Sequence, residues 1–361
     1  MKKTIAVLPG DGIGPEIMHE AVKVLEKIGA RFGHEFLFVH ALIGGAAWER
    51  HQIHFPEETK KICEGSDAIL FGSVGGPVHE QGSEKWKDCE RNSILQLRQH
   101  FRFQTNLRPS RVYPVLAASC ALRPHLIEGG VDILCVRELS QDIYFGEHRL
   151  EVVDGIRQAV DVMSYDERII ADIAHKSFQA ARNRRKKVIS VDKANVLACS
   201  RLWREVVNEV SKEYPDCLLE HILVDNCAMQ LIRCPAAFDV LLMPNMFGDI
   251  LSDEVSVLAG SLGMLPSASL NRQGFGLYEP SSGSAPDIAG KGVANPIGQI
   301  LSAAMMLEHS FGWVEESAAI HRAVERSLDQ GFRTADICSP ADPFPPVSTA
   351  VMGNSIINHL I

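Results

Sequence analysis

LLMPNMFGDILSDE, residues 241 to 254, holds the pattern from which the rest of the chain can be read. It opens as an apolar run of the kind that forms a buried strand, is expected to turn at Pro244 and Gly248, and continues as a helix. The helix sets Asp249 and Asp253 at i and i+4, so both carboxylates leave one face, close enough to share a cation. Their apolar neighbours Met246, Phe247, Ile250 and Leu251 place that face somewhere partly dry, where two anions require a counter-charge. The competing explanation is an acidic first turn at the positive end of the helix dipole.

Working outward, apolar strands alternate with amphipathic helices. Thr4 to Leu8 is a strand followed by PGDGIGPE and a helix through Ile28. After Gly10 and Gly12 the third glycine of a dinucleotide-binding fingerprint falls on Pro15, so this is not a Rossmann motif. Phe36 to His40 and Ala68 to Phe71 are further strands, the latter delivering a glycine-rich loop. A helix carries Ile94, Leu95, Leu97 and Arg98. Strand Val131 to Val136 is followed directly by Arg137 and Glu138, and strand Val188 to Val191 by Lys193. His221 to Asp225 reads as a strand closing on an acid, and Gly276 to Pro296 as one long loop. Such alternation predicts an α/β fold with largely parallel pairing.

Composition narrows the function classes. With 361 residues, 46% of them apolar, the chain is long enough for two domains. A net charge of −9 argues against nucleic acid or an anionic membrane as partner. The one basic cluster, Arg182 to Lys187, reads as the solvated end of a helix. Nine cysteines without a CxxC pair suggest buried thiols in a reducing, cytoplasmic setting rather than a zinc site. The apolar stretch near the start ends at Leu8, too short for a signal peptide, and no run is long enough to span a membrane.

Six stretches, taken in order, resemble the β-decarboxylating dehydrogenases, the family of isopropylmalate and isocitrate dehydrogenases. They are GDGIGPE from Gly10, NLRP from Asn106, VREL with YFGE to Glu147, VDKANVL from Val191, NMFGDILSDE from Asn245 and GSAPDIAGKGVANP from Gly283. The resemblance implies that family's two-domain α/β fold. The expected division is residues 1–104 with 261–361 as a first, NAD-binding domain, and 105–260 as a second, with an interlocking arm over 142–165.

By the same resemblance Asp225, Asp249 and Asp253 are ligands of Mg²⁺ or Mn²⁺, Arg98, Arg108 and Arg137 grip substrate carboxylates, and Lys193 and Tyr144 move protons. Oxygen ligands suit such ions, and forked guanidinium groups suit carboxylates. In the family the lysine and the first aspartate reach into a neighbouring subunit, which implies a homodimer with shared sites. Glu90 matches an acid on the nicotinamide side. Gly283, Ser284, Ala285, Asp287, Ile288 and Asn295 match the cofactor loop, and the acid at Asp287 implies NAD rather than NADP. Ser281 and Ser282 stand where many relatives carry a histidine. Ile94 and Leu95 form an expected apolar wall that suits an isopropyl group and would leave a third carboxylate unpaired. Family members acting on malate or tartrate, and a noncatalytic subunit, are the alternative readings.

Overall fold

The computed structural model of the chain describes residues 1–258, 260–339, 342 and 345–360. The chain folds as two units, one of Met1–Arg102, Val112–Ala121 and Ser256–Ile361, the other of Phe103–Arg111 and Leu122–Val255.

The first unit begins with β1 (Lys2–Gly10), α1 (Gly14–Phe32), β2 (Glu35–His40), α2 (Gly45–His51), α3 (Glu57–Glu64), β3 (Ala68–Ser73) and α4 (Gln96–His100). The chain then builds the second unit from β4 (Thr105–Arg111), α5 (Pro124–Ile127), β5 (Asp132–Glu138), β6 (His148–Val153), β7 (Ile156–Asp161), α6 (Glu167–Arg182), β8 (Lys187–Asp192), α7 (Ala198–Ser211), β9 (Leu218–Leu223), α8 (Val224–Arg233) and β10 (Val240–Met243). Helix α9 (Asn245–Leu258) follows, and β11 (Pro266–Leu270), β12 (Gly276–Pro280), α10 (Ile297–His309), α11 (Val314–Asp329) and α12 (Thr349–His359) complete the first unit.

In the first unit the strands lie in the order β2-β1-β3-β12-β11, parallel except for the β11–β12 pair. Ile5 to Leu8 on β1 have no exposed surface, as expected of a parallel strand covered on both faces. Helix α1 presents Ile17, Ala21, Val24, Leu25 and Ile28 to that core at helical spacing. In the second unit the order is β4-β5-β10-β8-β9, with only β4–β5 antiparallel. Trp203, Phe178 and Val207, from α6 and α7, close its core against β8 and β10. The β6–β7 hairpin forms its own small sheet.

The α/β expectation holds, and three local expectations fail for physical reasons. Gly248 lies inside α9 rather than in a turn. A Cβ there would stand 2.8 Å from Arg137 Cγ and 2.9 Å from Arg137 Cβ, so this glycine makes room for an arginine instead of bending the chain. Gly276 to Pro280 is not loop but β12, buried along its whole length, because its glycine and proline fall at the strand's two ends. Arg137 and Glu138 belong to β5 itself: the antiparallel ladder with β4 reaches Glu138, opposite Thr105.

Candidate active site

The carboxylate face of α9 is matched by arginines from two adjacent strands. Asp249 accepts a hydrogen bond from Arg137 Nη1, and its other oxygen accepts one from Tyr144 Oη at 2.6 Å. Arg108, on β4, reaches both acids: Nη2 lies 3.8 Å from Asp249 Oδ1 and Nη1 3.4 Å from Asp253 Oδ1. A single guanidinium spanning residues 249 and 253 confirms that the two carboxylates share one helix face. Burial pushes the Asp253 carboxyl upward against the pull of Arg108. Burial, and then the bond to Asp249, pushes the Tyr144 hydroxyl up to about 12, which keeps its proton in place at neutral pH.

Behind this face lies a buried polar network that fixes Arg137. Arg137 donates from Nε and Nη2 to Asn245 Oδ1 at 3.0 and 2.8 Å. Asn245 in turn donates from Nδ2 to the Gln141 carbonyl at 3.0 Å. Asp142 adopts a left-handed backbone, φ 80°, and its Oδ2 accepts from Met246 N at 3.1 Å. The Tyr165 hydroxyl lies 3.2 Å from Glu138 Oε2 and 3.1 Å from Asp142 Oδ2, and it accepts from Asn245 N at 2.8 Å. Glu138, wholly buried, takes three bonds from Ser140 and Gln141, yet burial still drives its carboxyl upward. The sequence marks Glu138, Asn245 and the arm from Asp142 to Tyr165 but does not foretell that they form this network. The available signal was the density of polar residues around Ser140 beside an apolar strand.

Lys193 and Asp225 form a separate pair. Nζ donates to Asp225 Oδ1 at 2.5 Å, and this contact with the lysine holds the exposed Asp225 below the usual carboxylate range. The turn that presents Lys193 is fixed by Asp192, which is buried, accepts two bonds from Arg204 and caps the amide of Ala194. Asp225 stands in the first turn of α8 instead of closing β9. Among the described residues, no three His, Cys, Asp or Glu side chains stand close enough to hold one metal ion. Asp225 of the same chain therefore does not join Asp249 and Asp253 in one such cluster.

In the first unit, Glu90, Leu95, Ser284 and Asp287 line one cavity of about 710 Å³ with Gly75 and Gly76. Trp86, which also borders it, was not foreseen. Arg91–Leu95 is a π-turn, which holds an extra residue relative to an α-turn and breaks the regular spacing. Leu95 lines the cavity, and Ile94 is 7% exposed and is not among its lining residues. Arg98 donates from Nη2 to Glu279 Oε1 at 2.7 Å.

The expected cofactor loop is tied to the sheet from within. Ser284 O accepts from Ile13 N at 2.9 Å, and a Cβ on Gly12 would stand 1.9 Å from that same oxygen. Ala285 and Ile288 pack on Ile13, Ile17 and Ala294. Gly283 and Asp287 are exposed. Asn295 is occupied internally: Oδ1 accepts from Ile297 N and Nδ2 donates to Asp336, both at 3.0 Å. It shapes the loop and the start of α10 with both of its polar ends. Ser281 Oγ is buried without a partner.

Comparison with known proteins gives a consistent set of likenesses. Residues 4–356 match the family described as isocitrate/isopropylmalate dehydrogenase. The chain is 54% identical to a 3-isopropylmalate dehydrogenase of Desulfotalea psychrophila, over 99% of this chain and 100% of that one. It is 51% identical to a 3-isopropylmalate dehydrogenase of Methylococcus capsulatus, over 99% and 98%. The crystal structure of isocitrate dehydrogenase from the same Methylococcus capsulatus is similar with a TM-score of 0.87 and 33% identity, covering 99% of each chain.

Proposed function

The chain belongs to the isocitrate/isopropylmalate dehydrogenase family, and from that premise we propose that it oxidatively decarboxylates (2R,3S)-3-isopropylmalate to 4-methyl-2-oxopentanoate, a dehydrogenase step of leucine biosynthesis. What carries the reading is its nearness, along the whole chain, to the Methylococcus enzyme named for isopropylmalate rather than to the one named for isocitrate. Leu95 agrees with that preference. An apolar side chain in the cavity accepts an isopropyl group, and a third carboxylate against it would be left unpaired at a cost of several kcal/mol.

The two units divide the work in this reading. The unit of Met1–Arg102, Val112–Ala121 and Ser256–Ile361 would take NAD, and the unit of Phe103–Arg111 and Leu122–Val255 would supply the metal and dimer elements. Glu90, Ser284 and Asp287 border the cofactor cavity, where Asp287 would accept from ribose hydroxyls and repel a 2′-phosphate. Bound NAD supplies the hydride acceptor. Arg108 and Arg137 take substrate carboxylates through paired donors, and the family resemblance gives Arg98 the same task. Asp249 and Asp253, with Asp225 from a second copy, would hold Mg²⁺ or Mn²⁺, whose charge when bound stabilises negative charge on the substrate oxygens.

Lys193 would accept the proton of the C2 hydroxyl and Tyr144 would deliver one to the enol carbon, its hydroxyl being protonated at neutral pH. That Asp225 does not cluster with Asp249 and Asp253, and pairs instead with Lys193, supports the family's arrangement of a homodimer that exchanges these two groups. The exposed Leu150, Val152 and Ile156 on the β6–β7 hairpin, and Met229 and Ile232 on α8, offer apolar surface for that assembly. A cytoplasmic setting fits the nine free cysteines. No described helix is long and apolar enough to cross a membrane.

A panel of 3-isopropylmalate, isocitrate, malate and tartrate, assayed with NAD and NADP in the presence of Mg²⁺ or Mn²⁺, tests the proposal. NADH formation is expected chiefly from 3-isopropylmalate. Preference for malate or tartrate would move the assignment within the family, and no turnover of any of the four would refute it.

A further inference from the structure

We propose that Glu279 is a positioning residue for Arg98, holding its guanidinium for a substrate carboxylate; this rests on the reading above that Arg98 meets the substrate. Arg98 lies on the short helix α4 after the π-turn and extends from it on a side chain with four rotatable bonds. Left alone, such a group loses considerable rotamer freedom when it binds. Glu279, by contrast, stands near the end of β12, where the sheet fixes its backbone: Ser267 pairs opposite it, and Ser267 Oγ donates to its carbonyl at 2.9 Å. Its Oε1 receives Arg98 Nη2 at 2.7 Å, and both side chains are only 11% exposed. The cation is therefore neutralised and oriented before any ligand arrives.

The pairing is also incomplete. Glu279 engages one of three nitrogens, and Arg98 Nε is buried without a partner. A buried N–H left unmet costs free energy that a second acceptor would recover. A structural ion pair would gain more from a two-point contact, whereas a guanidinium held at one corner keeps donors for another anion. Glu279 thus acts through Arg98, as the fixed post against which the arginine leans.

Steady-state kinetics of the full-length enzyme with Mg²⁺ separate the possibilities. Glu279→Ala is expected to raise KM for 3-isopropylmalate about tenfold and KM for NAD less than about twofold, and Glu279→Gln, which keeps an acceptor oxygen, should recover most of the loss. In an Arg98→Ala background, Glu279→Ala should add less than about twofold, since the group it positions is gone. If Glu279→Ala does not fold, Glu279→Asp withdraws the carboxylate by one methylene and must show the same selective rise. Unchanged substrate KM in the Glu279 variants alongside a large rise in Arg98→Ala overturns the positioning role and leaves the Arg98 reading intact. Unchanged KM in Arg98→Ala removes both. Equal rises for substrate and NAD, or effects that multiply in the double variant, mean that Glu279 acts by itself and also overturn the proposal.

Discussion

Replacing Gly248 by alanine sets two local preferences against each other. In a helix interior the change is worth up to about 1 kcal/mol in favour of alanine. Against it stands Arg137: the new Cβ would meet Arg137 Cγ at 2.8 Å and Cβ at 2.9 Å, contacts that neither side can accept unmoved. Those carbons sit at the base of the side chain, on β5, and its head is held by Asn245 and Asp249, so the arginine has no free end to swing away. Overpacking of this kind costs about 1 to 3 kcal/mol, which leaves a net destabilisation of about 0 to 2 kcal/mol. The larger consequence is functional. In the proposed reading Arg137 holds a substrate carboxylate, and displacement of such a group by about 1 Å costs on the order of 100-fold in rate. Gly248→Ala should therefore keep its far-ultraviolet circular dichroism and most of its thermal stability, while kcat/KM for 3-isopropylmalate falls at least tenfold. A variant stabilised by about 1 kcal/mol with full activity would refute this reasoning, because it would show that Arg137 yields without consequence.

Four further outcomes follow from the site. Leu95→Ala should narrow the kcat/KM preference for 3-isopropylmalate over malate by about 10-fold, the worth of a few buried methylenes, whereas buried Ile94→Ala should cost about 2 to 5 kcal/mol in urea unfolding with a smaller change in preference. Lys193→Ala should lose most turnover in a stopped-flow NADH assay yet melt close to the parent, since the lysine makes only a partly exposed ion pair. Asp249→Asn should abolish metal-dependent turnover with the fold retained; turnover independent of added metal would return Asp249 to the role of an acidic helix turn. His221 is pushed below its ordinary value by burial and then by Arg204, so its native form binds fewer protons than its unfolded form. Its contribution to stability is present above about pH 6.5 and is lost as pH falls toward the lowered native value. Thermal melts of His221→Gln should accordingly show a shallower decline than the parent below that pH.

The alternation of strands and helices was legible because the parallel strands are buried on both faces and appear as unbroken apolar runs, as in Ile5 to Leu8. The pairing of Asp249 with Asp253 was legible for the same kind of reason, since helical periodicity places them together whatever surrounds them. What escaped depends on contacts between distant residues. Glycine usually marks a turn, and only the passage of Arg137 explains Gly248 within a helix. The π-turn has no signature in a 3.6-residue period, so the different exposure of Ile94 and Leu95 could not be assigned from spacing. Asn245 looks like an ordinary helix start, and its role is visible only once β5 brings Arg137 to its side-chain oxygen. Asp225 reads in the sequence as an acid closing a strand, and only the folded chain brings it to Lys193, thirty-two positions away.

The roots of the segment carrying the β6–β7 hairpin give the molecule a mechanical character. On one side Asp142 is fastened to the amide of Met246, and on the other Tyr165 is fastened to the amide of Asn245. Both stitches land on the first turn of α9, one helical turn before Asp249. A load applied to the hairpin is therefore delivered through two short polar links to the helix that presents the carboxylates, and not dissipated in a slack loop. In the homodimer proposed above, a partner gripping the hairpin would pull on the turn that leads to Asp249, so cutting either stitch is expected to weaken assembly and turnover together.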